Sequence, residues 1–115
     1  MAVFDALVCL GVKFAFANIA ASTTDGVVVA AVSGKKIRVL ALAGQCGATA
    51  TNITFNSKPG GAGTAKSMLF ANGANGGAVL PFNPEGWFET VSGEGLSATT
   101  GAGSATGVQV VYAEV

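Results

Sequence analysis

Histidine is absent from this 115-residue sequence, and charged residues make up only 10% of it. Without histidine the chain lacks the commonest general base and metal ligand, so a Ser-His-Asp or Cys-His catalytic system cannot form within one copy. The formal net charge is zero. The only basic cluster, KKIR at 35–38, is too small to predict nucleic-acid binding, which depends on extended basic surface.

Cysteine is also scarce, with only Cys9 and Cys46 in the chain. Two cysteines do not make the dense disulfide framework of a small secreted domain, and they are either free and buried or paired. A two-cysteine zinc site would lack its usual histidine partners. We therefore expect no metal site and no cofactor.

Long apolar runs are missing too, because no apolar run reaches the ~18 residues that a membrane helix needs without meeting a charged or polar residue. Half of the residues are nevertheless hydrophobic, and the mean hydropathy is +0.57. Soluble domains carry about 25% charged residues, so this composition leaves more apolar surface than a lone small domain usually shows. The sequence predicts contact with other protein chains and no membrane span.

Motifs for catalysis are weak. GGAGTAKS at 60–67 approaches a phosphate-binding loop, but Ala65 replaces the second glycine, and the residues that follow read as a strand where the motif needs a helix. A carboxylate pair of the kind used in glycoside hydrolysis is conceivable among Asp25, Glu85, Glu89 and Glu94. A small hydrolase is thus one alternative, but we expect that the chain is not an enzyme and has no catalytic residue.

Short β-branched runs separated by Gly, Asn, Ser and Pro dominate the chain, and this pattern is typical of an all-β protein. The sequence predicts a single antiparallel β-sandwich, jelly-roll-like, with eight or nine short strands. An immunoglobulin-like sandwich is the runner-up, but Trp87 follows both cysteines where that fold places it between them. We predict an N-terminal arm over residues 1–15 and the sandwich domain over 16–115. The predicted strands lie at 12–21, 26–32, 37–43, 49–57, 66–71, 78–82, 86–92, 95–101 and 107–114.

Two features predict an interface. In IRVLALA, alternation puts Ile37, Val39 and Ala41 on one face and Arg38, Leu40 and Leu42 on the other, so both faces are apolar and one would meet another subunit or a loop. The segment FANGANGGAVLPFNPEGWFE, 70–89, places large rings beside a turn-rich loop stiffened by prolines, and such rings can anchor an interface. The candidate interface residues, arm included, are Phe4, Leu7, Leu10, Arg38, Leu40, Leu42, Phe82 and Trp87.

Four stretches carry a resemblance: TTDGVVVAAVSGKKIRVLAL, TNITFNSKPGGAG, LFANGANGGAVLPFNPEGWFETVSGEGL and ATTGAGSATGVQVVYAEV. Over residues 23–115 the chain resembles small virion structural proteins of tailed bacteriophages. The resemblance implies a β-sandwich subunit on the capsid surface of the virion, most often a head decoration (cement) protein. Its partners would be itself, as a homotrimer, and the major capsid protein. The alternative is a tail-fibre or receptor-binding module that holds host-surface glycans with the loops at 58–64 and 72–77.

Overall fold

The structure, a computed structural model, describes residues 11–115. These residues contain ten β-strands and no helix. All strand pairs are antiparallel. The predicted all-β antiparallel sandwich is therefore confirmed. The strands are β1 (Lys13–Ile19), β2 (Gly26–Val29), β3 (Ile37–Cys46), β4 (Thr51–Lys58), β5 (Thr64–Ala65), β6 (Phe70–Asn72), β7 (Gly77–Leu80), β8 (Phe88–Glu89), β9 (Gly95–Thr100) and β10 (Thr106–Glu114).

The strands form two sheets. Sheet A has the order β1-β10-β3-β7, and β8 pairs with β3 as well. Sheet B has the order β2-β9-β4-β5, and β6 pairs with β4 as well. One edge of each sheet is thus shared by two very short strands, which is why ten strands are present where eight or nine were predicted.

The core lies between the sheets and is built from their inward residues. Phe55 of β4 is 1% exposed, and its ring lies 6.1 Å from that of Phe70 in an edge contact and 6.0 Å from that of Phe88 in a stacked one. Ile37 and Val39 of β3 are fully buried beside it in the same cluster. The core therefore depends on one ring that joins strands from both sheets.

A β-bulge interrupts β3 and changes which of its residues face the core. Val111 pairs with Ala41 while Tyr112 pairs with Val39, so Leu40 has no partner in β10. An extra residue on one strand shifts the alternation by one position. Leu42 consequently packs in the core cluster with Val39, and the prediction that these two residues face opposite sides is wrong.

β1 begins at Lys13, within the strand predicted over 12–21. Lys13, Phe14 and Ala15, which the predicted domain division assigned to the arm, pair with β10. The rest of the predicted arm lies largely outside the described residues. Within residues 11–115, no helix is long and apolar enough to cross a membrane.

Candidate interaction surface

The outer face of sheet A carries rows of side chains that continue from strand to strand. Phe16 of β1 pairs with Gln109, Gln109 with Ala43, and Ala43 with Val79 of β7. Directly paired residues share one face of a sheet. These four side chains therefore form one row across the outer face, and Phe14, beside Val111 in the pairing, begins the next row.

Large apolar groups on this face are left in water. Phe14 is 75% exposed, Phe16 77% and Val79 73%, more than any other large hydrophobic side chain among residues 11–115. The smaller Ala15 and Ala17 occupy the inward side of β1 and pack against the core. The strand therefore directs its two rings outward, against the usual preference for buried phenylalanine.

A groove with a floor of small residues crosses the outer face of sheet A. Two adjoining concavities of about 820 Å³ and 370 Å³ share Ala43, Val79 and Gln109 in their walls. None of the residues that line them is charged. We call Phe14 and Phe16 the Phe ridge, and we call the groove the outer trough. The Phe ridge itself forms the β1 side of the trough, and the rest of the outward-facing lining includes Ala41, Ala43, Val79, Pro81, Gln109 and Val111.

On β4 the outer face of sheet B carries polar side chains. Asn52 is exposed and Thr54 is half-buried, whereas Ile53 and Phe55 are buried. This alternation places one side of the strand toward water and the other in the core. The outer side of β4 thus differs from the outer trough of sheet A, although Val27 of β2 is also exposed.

Asp25 organises the polar face next to the turn before β2. Its carboxylate accepts hydrogen bonds from the Gly63 amide at 2.9 Å, the Asn56 amide nitrogen at 3.0 Å and the Ser97 hydroxyl at 3.1 Å. Through these bonds it connects the loop after β4 to strands β4 and β9. The Gly63 hydrogen bond is the largest cause that lowers the pKa of Asp25 below its ordinary value of 3.8, with Ser97, Asn56 and the charge of Lys58 adding to it against partial desolvation.

A lowered pKa in the folded chain means that the ionised carboxylate of Asp25 stabilises the fold. That contribution is complete above the unfolded value near 3.8 and is lost as the pH falls through the lower folded pKa. We expect Asp25→Asn to lower the free energy of unfolding by about 1–2 kcal/mol at neutral pH, because charge-assisted hydrogen bonds are lost. Urea unfolding from neutral pH to below pH 3 measures this, and the difference from the wild type should shrink at the acid end.

Glu85→Gln is the matched control for Asp25→Asn, because Glu85 is exposed and its side chain makes no ion pair among the described residues. We expect this control to unfold like the wild type at neutral pH. A deficit in Asp25→Asn that stays constant down to pH 2 would contradict a role for the ionised carboxylate.

The aromatic segment lies beside sheet A as a closed loop, residues 81–87. The Trp87 indole N–H donates to the Pro81 carbonyl at 2.7 Å, so the two ends of the loop are joined. The backbone amides of Asn83 and Trp87 donate to the carbonyls of Leu40 and Val39. The loop therefore has a fixed shape along β3, next to the bulge.

The predicted interface residues have different positions in the structure. Phe82 is 48% exposed and Trp87 44%, so both rings can still reach a partner. Phe88 packs against the core. Leu40 and Leu42 are buried within a single copy and are removed from the candidates. Phe4, Leu7 and Leu10 lie outside the described residues.

Arg38 is half-buried and engaged in an ion pair. Its guanidinium lies 3.0 Å from a carboxylate oxygen of Glu89, and Lys36 lies 3.0 Å from the other oxygen. The hydrogen bonds from Lys36 and then Arg38 lower the pKa of Glu89 below its ordinary value. Arg38 thus holds β8 to β3 within one copy, and a role toward a partner stays a prediction.

The other candidates from the sequence have separate surroundings. Glu94 accepts a hydrogen bond from the Ser57 hydroxyl at 2.6 Å, whereas Asp25 and Glu89 belong to the two clusters above. Among residues 11–115, no three His, Cys, Asp or Glu side chains come together as a possible metal site. Residues 60–63 form a loop before the two-residue strand β5, and neither a helix nor a strand occupies residues 66–69.

Cys46 is buried, with its sulfur 3.1 Å from the Gly73 carbonyl oxygen. It forms no disulfide with any residue among 11–115, and Cys9 lies outside the described residues. The Phe ridge was missed as a candidate interface, although KFAF already shows that Phe14 and Phe16 share one face.

No protein-family model, curated protein or solved structure matches this chain.

Proposed function

We propose that this chain is a virion structural protein of a tailed bacteriophage, a decoration (cement) protein that binds and stabilises the capsid. It would act as a homotrimer that contacts the major capsid protein on the outside of the head. The resemblance over residues 23–115 suggests the class of protein. The function would be performed by buried surface and shape, with no chemical turnover.

The observation that carries the proposal is the exposed apolar face of sheet A. Lone soluble proteins rarely expose contiguous apolar patches of more than a few hundred Å². Here the three most exposed large side chains of the described chain, Phe14, Phe16 and Val79, lie on one outer face. A subunit that works inside an assembly has a reason to keep such a face, because neighbours remove it from water.

The strand order supports a jelly-roll interpretation. If β5 is counted with β6, and β7 with β8, each sheet has four strands in the orders 1-8-3-6 and 2-7-4-5. Both sheets then combine strands from the beginning and the end of the chain, as in the eight-stranded jelly rolls used by viral capsid proteins. The strand order is thus compatible with a capsid-associated subunit.

The aromatic loop is the second exposed feature, and we propose that it contacts the capsid. Phe82 stands on a loop whose shape is fixed by the Trp87–Pro81 hydrogen bond. A rigid loop loses little entropy when it binds, so a half-exposed ring can act as an anchor. Phe82 does not line the outer trough, so a capsid contact through it leaves the trough available.

The experiment that tests the function is co-sedimentation of the purified chain with phage heads that lack it. We expect saturable binding that persists at about 1 M salt, where exposed charges are screened within ~3 Å. Phe82→Ser should weaken the binding about 5- to 30-fold, because an apolar ring of this exposure is worth about 1–2 kcal/mol when covered. Val27→Ser, on the outer face of sheet B and 64% exposed, is the matched control.

Two results would count against the proposal. Failure of the wild-type chain to sediment with heads would exclude a decoration role. Binding instead to host-cell envelope polysaccharide, reduced by changes in the loops at 58–64 and 72–77, would favour the receptor-binding alternative.

A further inference from the structure

The outer face of sheet A contains both a projection and a groove of the same chemistry. The Phe ridge stands at one border, on β1, which is an edge strand of the sheet. The outer trough lies beyond it over β10, β3 and β7, with the small side chains Ala41 and Ala43 in its floor. A projection at an edge can reach another molecule without a clash from its own sheet.

We propose that the Phe ridge of one copy lies in the outer trough of a second copy. This proposal deepens the proposed function, on which it rests for its relevance to assembly, by naming the two surfaces through which subunits join. Alternate residues of a strand lie about 6.6–7 Å apart, so both rings of the ridge can enter the trough together. Exposed Ala43 would lie near the centre of the contact.

The ridge supplies part of the area that a stable contact needs. An aromatic side chain buries about 150–250 Å², so two rings that are three-quarters exposed can bury roughly 250–350 Å². A standard interface needs about 800 Å² from each partner. The ridge therefore supplies about a third of one side, and the rest of the outer face of sheet A would supply the remainder.

The charges near the contact also fit. The trough has no charged lining residue, and the nearest charge on the strand that carries the ridge is Lys13. That lysine already lies 3.2 Å from Glu114 of its own copy. Docking the ridge therefore buries no unpaired charge, which would otherwise oppose association.

The ridge and the trough lie side by side on the outer face of sheet A. Two copies that face each other across a two-fold axis can each place the ridge in the other's trough, which closes a dimer, whereas a one-way contact repeats head to tail until a ring closes. A second copy is favoured over a glycan as occupant because most side chains that line the trough are apolar, and only Asn18, Gln45 and Gln109 carry amides that could hydrogen-bond to hydroxyls.

The test uses the full chain and multi-angle light scattering at micromolar concentration. We expect the wild type to be a closed oligomer. The ridge variant combines Phe14→Ser with Phe16→Ser, and the trough variant is Ala43→Glu. Each should be monomeric, because the contact of two rings with the trough is lost. We expect self-association to weaken by about 100-fold or more. Val27→Ser, an exposed position on sheet B, should keep the wild-type mass.

Mixing the two variants gives the sharper result. The trough variant has an intact ridge, and the ridge variant keeps the trough residues of β10, β3 and β7, so one contact can form and a 1:1 complex is expected. Circular dichroism and thermal unfolding of each separate variant show that it is folded. The mixture needs only one contact, so it also detects the specific pairing of the two surfaces.

A monomeric wild type, an oligomer that survives in the ridge variant, or variants that fail to combine would each overturn the proposal. The two proposals fail separately. A monomer that binds phage heads would overturn the ridge-in-trough contact and leave the decoration function, whereas an oligomer that ignores heads would do the reverse.

Discussion

Phe55→Ala is expected to lower the free energy of unfolding by about 4 kcal/mol, the middle of the range for a buried phenylalanine. Phe55 is 1% exposed, and its ring contacts both Phe70 and Phe88 at centroid distances near 6 Å. Truncation would leave a cavity where the two sheets meet. Because 1 kcal/mol shifts the melting temperature of a domain of this size by about 4 °C, a fall of about 15 °C should be seen by calorimetry.

Phe14→Ala is the matched control, since it removes the same atoms from a ring that is 75% exposed. In dilute solution, where copies are separate, it should change the unfolding free energy by about 0.5 kcal/mol or less. If Phe55→Ala cost no more than this control, Phe55 would not be the centre of the core.

Gly77→Ala should also be strongly destabilising, by about 3 kcal/mol, at the upper end of the usual cost of overpacking. A Cβ atom at this position would overlap the carbonyl oxygen of Gly44 and lie 2.9 Å from the Cα of Gln45. Both obstacles are backbone atoms of β3, so no side-chain rotation relieves them. The first residue of β7 is therefore held against β3 by the absence of a side chain.

Urea unfolding measures the loss, and hydrogen exchange should show faster exchange of those β7 amides that donate to β3 as β7 moves away from it. Gly73→Ala is the control, because a Cβ at Gly73 meets no atom within 4 Å. Equal stability of the two alanine variants would refute the close approach of β7 to β3. Because Val79 forms part of the outer trough, Gly77→Ala should also weaken self-association.

The strand pattern could be predicted because β-branched runs and turn residues are local signals. Residues 26–29, 51–57 and 107–114 all lie in strands as expected. Predicted strand 66–71 is shortened to Phe70–Asn72, because the Ser67 hydroxyl bonds the Phe55 amide and occupies a position that a strand partner would take. Asn75 has a φ of +56°, as Asn-Gly turns permit.

The faces were harder to predict, since they depend on pairing across the sheet. The bulge at Leu40 is visible only in the register between β3 and β10, and it reverses the orientation expected for Leu42. On β1 the alternation is clear, but local hydrophobicity would place Phe14 and Phe16 in the core. The inward side instead takes Ala15, Ala17 and Ile19, so packing against the other sheet decides the orientation. The network around Asp25 joins residues from three distant segments and gives no local signal.

The short strands at the sheet edges limit how far the protein can polymerise by strand pairing. Among the described strands, β1 has seven residues, whereas the other edge segments, β2 and β5 to β8, have four or fewer. Fibrillar stacking requires a long unpaired strand on both sides of a sheet, so that each added molecule offers a new template. A sheet with one such side can accept a single neighbour there and then stops growing, which protects a chain with so many hydrophobic residues from amyloid-like growth.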